Sequence, residues 1–331
     1  MRLRALLGVV IGLAAADAVL VCVPTPLDRH REPDLGYVVR TVEALAPVLK
    51  PGALLVLEST TYPGTTRDVV VPLLRAAGRV PGADLLVAYS PEREDPGNET
   101  YGTASIPKVV GADDDAARTL ALALYGAFVA RVVPVSSTAT AEAVKITENV
   151  FRAVNIALVN ELKLIYAAMG IDVWEVIEAA KTKPFGYMAF YPGPGLGGHC
   201  IPIDPFYLTW KARAYGVPTR FIELAGEINT AMPRWVVHKL MHALNEEGKS
   251  LRGARILVLG LSYKENIDDD RESPSYEIIE ILQEAGALVD YCDPYFPVAR
   301  PGRKHDIGLR SVPCTAEAFA SYDALVVATA H

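Results

Sequence analysis

Apolar and polar positions follow two different rhythms along this chain. Up to residue 136, short apolar runs alternate with stretches whose apolar residues recur at helical spacing. AVLVCVPTP (Ala18 to Pro26), ALLVLEST (Ala53 to Thr60), DLLVAYS (Asp84 to Ser90), KVVGA (Lys108 to Ala112) and RVVPVS (Arg131 to Ser136) read as strands. Continuous apolar runs of this length suit parallel strands buried on both faces. Between them, Leu35, Val38, Val39, Val42, Leu45 and Leu49 form a helical stripe that Asp34 opens and Pro51-Gly52 closes. Further helices fit Asp68 to Ala77 and Asp114 to Phe128.

After Ser136 the strand rhythm stops. Thr138 to Met169 reads as one helix ending at Gly170, ~48 Å long at 1.5 Å per residue, too long to lie across one small sheet. Helices over Asp172 to Lys181, Asp204 to Tyr215 and Phe221 to Glu247 follow. ARILVLG (Ala254 to Gly260), YEIIEILQEAG (Tyr276 to Gly286) and ALVDYCDP (Ala287 to Pro294) then form a βαβ unit, and DALVVATAH is a last strand signal. The pattern is α/β: two doubly wound parallel-sheet domains joined by a long helical connector.

At ~150 residues per domain, 331 residues agree with that count. With 51% hydrophobic and 21% charged residues the chain can bury a core. Acidic residues outnumber basic ones 39 to 32, which argues against a nucleic-acid partner. Four cysteines, Cys22, Cys200, Cys292 and Cys314, show no CxxC spacing, which disfavours zinc ribbons and a disulfide framework and leaves lone-thiol chemistry. Met1 to Val23 has the outline of a secretory leader, but Asp17 interrupts it and its second half reads as a strand, so no membrane segment is expected.

The most specific segment is PFGYMAFYPGPGLGGHCIPIDP, Pro184 to Pro205. Gly193, Gly195 and Gly198 fit G-x-G-x-x-G in spacing but lack the flanking strand and helix of a dinucleotide turn. The other reading is that these glycines let backbone amides approach a bulky polar ligand. Cys200 near a helix start is either an activated thiol or a small buried residue. Lys145, Asn149 and Arg152 share one helical stripe, a solvated face or a site. ESTTYPGTT (Glu58 to Thr66) and SPEREDPGN (Ser90 to Asn98) sit at strand ends, where open sheets hold ligands, yet turns also favour these residues. GLSYKENIDDDRESPS (Gly260 to Ser275) brings Lys264 and Arg271 to a helix start suited to phosphate. Its Asp268 to Asp270 run lacks a metal-ligand spacing, so no metal is expected. The basic loop Phe296 to Ser311, with Arg300, Arg303, Lys304 and Arg310, reads as a solvated surface.

Taken together, these segments resemble the UDP-glucose/GDP-mannose dehydrogenase family, in its segment order, from CVPTP at Cys22 to the last residue. SPEREDPGN and FYPGPGLGGHCIPIDPFYL are most similar to its branch acting on UDP-N-acetylhexosamines, UDP-N-acetylglucosamine above all. The resemblance implies a partial NAD-binding Rossmann domain (1–137), a central helical dimerisation domain with the catalytic loop (138–247) and a partial UDP-sugar-binding domain (248–331). It implies NAD-dependent oxidation of a sugar C6 alcohol to the acid through a Cys200 thiohemiacetal and thioester. Lys145 and Asn149 would hold the reacting oxygen, Asp204 and Glu92 would serve the proton and water steps, and Thr60 would order the water. Val23, Pro24, Thr25, Ser59, Thr60 and Arg271 would contact NAD. Glu92, Arg93, Lys145, Asn149, Phe190, Tyr191, Gly195 and Lys264 would bind the UDP-sugar. The family places this chemistry in a cytoplasmic homodimer that supplies surface polysaccharide, and it opens with a strand and glycine turn not found ahead of AVLVCVPTP. The expectation is therefore an NAD domain lacking its first βαβ unit. The same chemistry on UDP-glucose, UDP-N-acetylmannosamine or GDP-mannose, and a non-catalytic nucleotide-sugar-binding protein, are the alternatives.

Overall fold

A computed structural model describes residues 12–28, 32–95, 97–98, 100–198, 201, 203–302 and 304–331. Residues 1–11 of the leader-like segment, Cys200 and Arg303 lie outside these residues. The chain divides into two compact units, Met1–Asn149 with Ile203–Pro218, and Val150–Pro202 with Thr219–His331.

The first unit is a five-stranded sheet in the order β1-β2-β3-β4-β5. Its strands are β1 (Ala18–Val21), β2 (Ala53–Leu57), β3 (Leu85–Tyr89), β4 (Lys108–Ala112) and β5 (Val132–Val135). β2 is buried along its whole length, as its unbroken ALLVL run requires. Helix α1 (Gly36–Leu45) packs Val38, Val42 and Leu45 against Leu55, Leu57, Leu85 and Val87 on one face. The short α2 (Val71–Ala76) joins it there through Leu74, after a π-turn at Thr66–Val70. Helix α3 (Asp115–Gly126) covers the other face with Ala117, Ala121 and Tyr125 against Leu54, Val56, Ala88 and Val110. Asp114 caps it by accepting from the Ala117 amide at 2.7 Å.

Two details differ from the sequence pattern. The stripe predicted to run to Leu49 ends as a helix at Leu45, because Pro47 supplies no amide to continue the ladder. Its first amide, Gly36 N–H, donates to Asp34 as predicted. The sheet is also not wholly parallel, since β4 pairs antiparallel with β3 through Ala88↔Ala112 and Tyr89↔Gly111. A parallel return needs a crossover, usually a helix. The proline- and glycine-bearing stretch between Ser90 and Pro107 has no helix among its described residues.

Helix α4 (Thr138–Met169) is continuous over the predicted 32 residues, beginning in the first unit and ending in the second. Asp113 accepts from the Thr138 amide (3.1 Å) and hydroxyl (2.6 Å), and Gly170 at φ 70° stops it. In the second unit it is joined by α5 (Val173–Lys181) and α7 (Arg220–Glu246); α6 (Asp204–Arg213) belongs to the first unit. A three-stranded parallel sheet, β7-β6-β8, is made of β6 (Arg255–Leu259), β7 (Leu288–Cys292) and β8 (Ala324–Val327). Helix α8 (Pro274–Glu284) covers it with Ile278, Ile279 and Leu282, beside Val237 and Leu244 of α7. A short α9 (Ala316–Phe319) precedes β8.

One expectation about this unit needs correction. Cys292 and Cys314 form a disulfide across Cα atoms 5.7 Å apart, which the lack of CxxC spacing concealed because the two residues are brought together by the fold and not by local sequence. The basic loop is an exposed surface, as expected, and its side chains make surface contacts: Arg300 with Asp268 (2.9 Å), Lys304 with Glu272 (2.7 Å) and His305 with Glu280 (2.7 Å). Of the acidic run, Asp268 meets that loop while Asp269 holds Arg271, and no metal-holding cluster occurs among the described residues.

Gly111 shows how closely β4 meets the start of α4. A Cβ there would stand 2.2 Å from the Ser137 carbonyl oxygen and 2.8 Å from the Ala141 methyl. Gly111→Ala is expected to cost about 1–3 kcal/mol, the usual range for overpacking, seen as a lower urea midpoint with an unchanged slope.

Candidate active site

The site residues of the first unit gather where its strands end and where α4 meets α6. Val23 and Ser59 follow β1 and β2. Ser59 is buried, its Oγ accepting from the Val23 amide (2.8 Å) and donating to the Val23 carbonyl (2.7 Å). It thus ties two strand ends into one rim, with Pro24, Thr25 and Thr60 alongside. Thr25 is buried, and its carbonyl accepts from Tyr207 of α6 at 2.9 Å. Thr61 is fully buried, and its hydroxyl has no hydrogen-bond partner among the described residues. Two adjacent threonines are indistinguishable by composition, but Thr60 is half-buried while Thr61 carries the buried orphan. Open α/β sheets receive dinucleotides at the carboxyl ends of their strands. This rim and its orphan hydroxyl fit such a ligand.

The second cluster joins α4 to α6. Lys145 and Asn149, one helical turn apart, are both buried, which removes the solvated-face reading of their stripe. Asp204 opens α6 at 1% exposure, and Asn149 Nδ2 donates to its Oδ2 at 2.5 Å. Burial pushes the Asp204 carboxyl up to about 7, against the Lys145 charge and the Asn149 hydrogen bond, which pull it down. A buried acid poised near neutrality beside a cation and an amide can move protons and hold an oxyanion. Aromatic packing anchors α6 beside it, with Trp210 and Tyr62 rings 4.9 Å apart.

Glu92 and Arg93 sit after β3. Arg93 is committed within the unit, donating to Glu148 of α4 (2.6 and 3.3 Å) and to the Pro107 carbonyl. Glu92 is half exposed, 3.9 Å from the Lys108 ammonium at the start of β4. Lys108 also meets the buried Glu58 at 3.2 Å, and Glu58 accepts from the Tyr125 hydroxyl and the Cys22 thiol. Burial and the Glu58 charge push Cys22 up to about 11, so this thiol is protonated at neutral pH.

In the second unit, Phe190 packs with Val159 and Ile177, and its ring meets Phe151 edge-on at 5.8 Å. Tyr191 stacks on Trp174, and its hydroxyl donates to Glu178 while accepting from Lys181. Two buried asparagines that sequence reasoning missed hold the glycine loop. Asn160 of α4 donates to Asn229 of α7 at 2.8 Å, and its carbonyl oxygen accepts from the Gly193 amide at 3.0 Å. Asn229 donates onward to the Ala153 carbonyl. No local motif marks two asparagines 69 residues apart.

The glycines of this loop also pack closely against the chain itself. A Cβ at Gly197 would lie 2.2 Å from Tyr263 Cβ, and at Gly195 3.0 Å from Pro274. Gly198, at φ 82°, carries the Tyr263 ring 3.0 Å from its would-be Cβ, and its amide donates to the Arg271 carbonyl. At these three positions the close approach is made by the chain's own β6–α8 loop. That loop also carries half-buried Lys264 and exposed Arg271, whose guanidinium grips Asp269. Cys200 lies outside the described residues, four positions before Asp204.

Comparison with known proteins yields three sequence matches in order, all described under the UDP-glucose/GDP-mannose dehydrogenase family: its NAD binding domain at residues 2–129, its central domain at 139–231 and its UDP binding domain at 257–331. The chain is 38% identical to the UDP-N-acetyl-D-glucosamine 6-dehydrogenase of Pseudomonas aeruginosa, covering 96% of this chain and 75% of that protein. It is 36% identical to a UDP-N-acetyl-D-mannosamine dehydrogenase of Methanococcus maripaludis, covering 85% of this chain but 63% of that protein. The solved UDP-D-ManNAc dehydrogenase of Pyrococcus horikoshii superposes with a TM-score of 0.87 at 35% identity, over 99% of this chain and 76% of that one.

Asp204 gives a pH test. Its folded value of about 7 lies above the ordinary 3.8, so folding favours the protonated form. Its stabilising contribution is complete below pH 3.8 and is lost as pH rises through about 7. Asp204→Asn cannot titrate, so unfolding measured from pH 4 to 8 should show the wild type losing up to about 4 kcal/mol relative to the variant.

Proposed function

This chain belongs to the UDP-glucose/GDP-mannose dehydrogenase family, and from that premise we propose that it oxidises the C6 alcohol of UDP-N-acetylglucosamine to the carboxylate in two steps. The observation that carries the reading is the buried Lys145, Asn149 and Asp204 cluster at the start of the helix that Cys200 precedes. NAD, when bound, accepts the hydride lost from C6 in each oxidation. The rim of Val23, Pro24, Thr25, Ser59 and Thr60, with Thr61 beneath it, would hold the cofactor.

The protein side of the chemistry follows from charge. The first oxidation needs a base for the C6 hydroxyl proton, and Asp204, pushed up to about 7, is matched to that task. Cys200 as thiolate then adds to the aldehyde carbon and makes it tetrahedral, which allows a second hydride to leave and yields a thioester. Lys145 and Asn149 donate to the oxygen that carries negative charge in these steps. Glu92, half exposed, takes a proton from the water that attacks the thioester, and Thr60 orders that water. Phe190, Tyr191, Gly195 and Lys264 would form the nucleotide-sugar side of the second unit. We read residues 1–137, 138–247 and 248–331 as the cofactor, central and nucleotide-sugar segments, working as a cytoplasmic homodimer paired through α4. No described helix is long and apolar enough to cross a membrane.

The relatives' names divide between N-acetylglucosamine and N-acetylmannosamine, so the sugar is tested in parallel assays. UDP-N-acetylglucosamine should give two NADH per uronate formed, ahead of the mannosamine epimer, UDP-glucose and GDP-mannose. Binding of a UDP-sugar by calorimetry without NADH formation would instead mark a non-catalytic binding protein. Lys145→Met should lower kcat by about 10²–10³-fold, the usual cost of losing one oxyanion donor, with the fold retained by circular dichroism.

A further inference from the structure

Lys108 is a buried cation with two carboxylates. Its side chain is 10% exposed, with Glu58 at 3.2 Å on the interior side and Glu92 at 3.9 Å on the half-exposed side. The ammonium also lies over the Tyr125 ring, 5.3 Å from its centre. Glu58 is fixed independently, since the Tyr125 hydroxyl donates to one of its oxygens and the Cys22 thiol to the other. These groups arrive from different elements: Cys22 after β1, Glu58 after β2, Glu92 after β3, Lys108 on β4 and Tyr125 on α3. Lys108 is adjacent to Glu92 only because β4 runs antiparallel, which sets its first residue beside the end of β3.

One buried carboxylate is sufficient to compensate one buried ammonium. The second ion pair, to a half-exposed glutamate, goes beyond what folding requires. We propose that Lys108 is a positioning residue for Glu92, a fixed positive charge that holds the Glu92 carboxylate in place for the release of product. The inference rests on the reading of Glu92 as the base of that step. In it, water adds to the thioester carbonyl and Glu92 takes one water proton. The C–S bond then breaks with its electron pair leaving on the Cys200 sulfur, and the second proton passes to solvent as the carboxylate forms. No redox change occurs. A protonated Glu92 cannot take that proton, so the step fails at low pH.

The charges facing Glu92 are Lys108, Glu58 behind it, Cys22, and its neighbours Arg93 and Glu94. Cys22 is neutral at working pH, Arg93 is turned to Glu148, and Glu94 offers Glu92 its backbone amide. The dominant opposing pair is therefore Lys108 and Glu58, and changing each should move Glu92 in opposite directions.

The test is a carbon-13 NMR titration of the Glu92 carboxyl together with the pH profile of acyl-enzyme breakdown, followed by acid-quench mass spectrometry on the full chain with UDP-N-acetylglucosamine and NAD. Lys108→Met should raise the Glu92 midpoint and the acid limb by about one pH unit with KM unchanged, and Lys108→Arg should restore both. Glu58→Gln should lower both, because Lys108 then answers to Glu92 alone. If Lys108→Met fails to fold, the double variant Lys108→Met/Glu58→Gln buries no net charge and should still move the midpoint upward, by less than the single variant because the Glu58 charge is lost as well. A Glu92 midpoint that stays put in these variants overturns the inference, even where Glu92→Gln removes the acid limb and upholds the base. An acid limb that survives Glu92→Gln overturns the inference and the reading beneath it together.

Discussion

A carboxylate almost completely removed from water has to be compensated, and Asp204 is compensated from a single helix. Lys145 supplies the charge and Asn149 the hydrogen bond, one turn apart on α4. Much of the chain path in the first unit follows from this. The chain leaves the unit at Asn149 and returns at Ile203 for sixteen residues, through Pro218. What holds the returning segment is Asp204 on α4, the Tyr207 hydroxyl on the Thr25 carbonyl, and the Trp210 ring on Tyr62. The same contacts place a buried acid, a cation and an amide beside the rim that ends β1 and β2.

The long elements were legible because their signals are local. An unbroken ALLVL predicts a strand buried on both faces, and 32 residues without a breaker predict α4 to its last residue. The antiparallel return of β4 was not legible, because strand direction depends on the connection that precedes it. The Cys292–Cys314 pair and the Arg300–Asp268 and Lys304–Glu272 ion pairs escaped for a related reason. Each joins segments distant along the chain, and each half alone reads as ordinary surface or an ordinary buried thiol.

The site divides in the same way. Lys145, Asn149 and Asp204 stand out by type and spacing, and burial then separates them from a solvated stripe. The glycines of the 193–198 loop stand out too, and at 195, 197 and 198 it is Tyr263 and Pro274 of the same unit that approach them closely. Positive φ and close approach make a glycine necessary without saying what approaches. Asn160 and Asn229, which hold that loop, and Lys108 with Glu58, beside Glu92, had no motif to announce them. Such supporting residues are specified by packing, and packing is what one sequence withholds.

The central dependence is that of the buried Asp204 carboxylate on the Lys145 charge inside the first unit. A double-mutant cycle of Lys145→Met and Asp204→Asn, read as unfolding free energy at pH 8, measures that dependence directly. The structure predicts a coupling of more than about 1 kcal/mol, with the double variant losing less than the sum of the single losses. Losses that add to within about 0.5 kcal/mol would contradict it, because the two groups would then be stabilised independently.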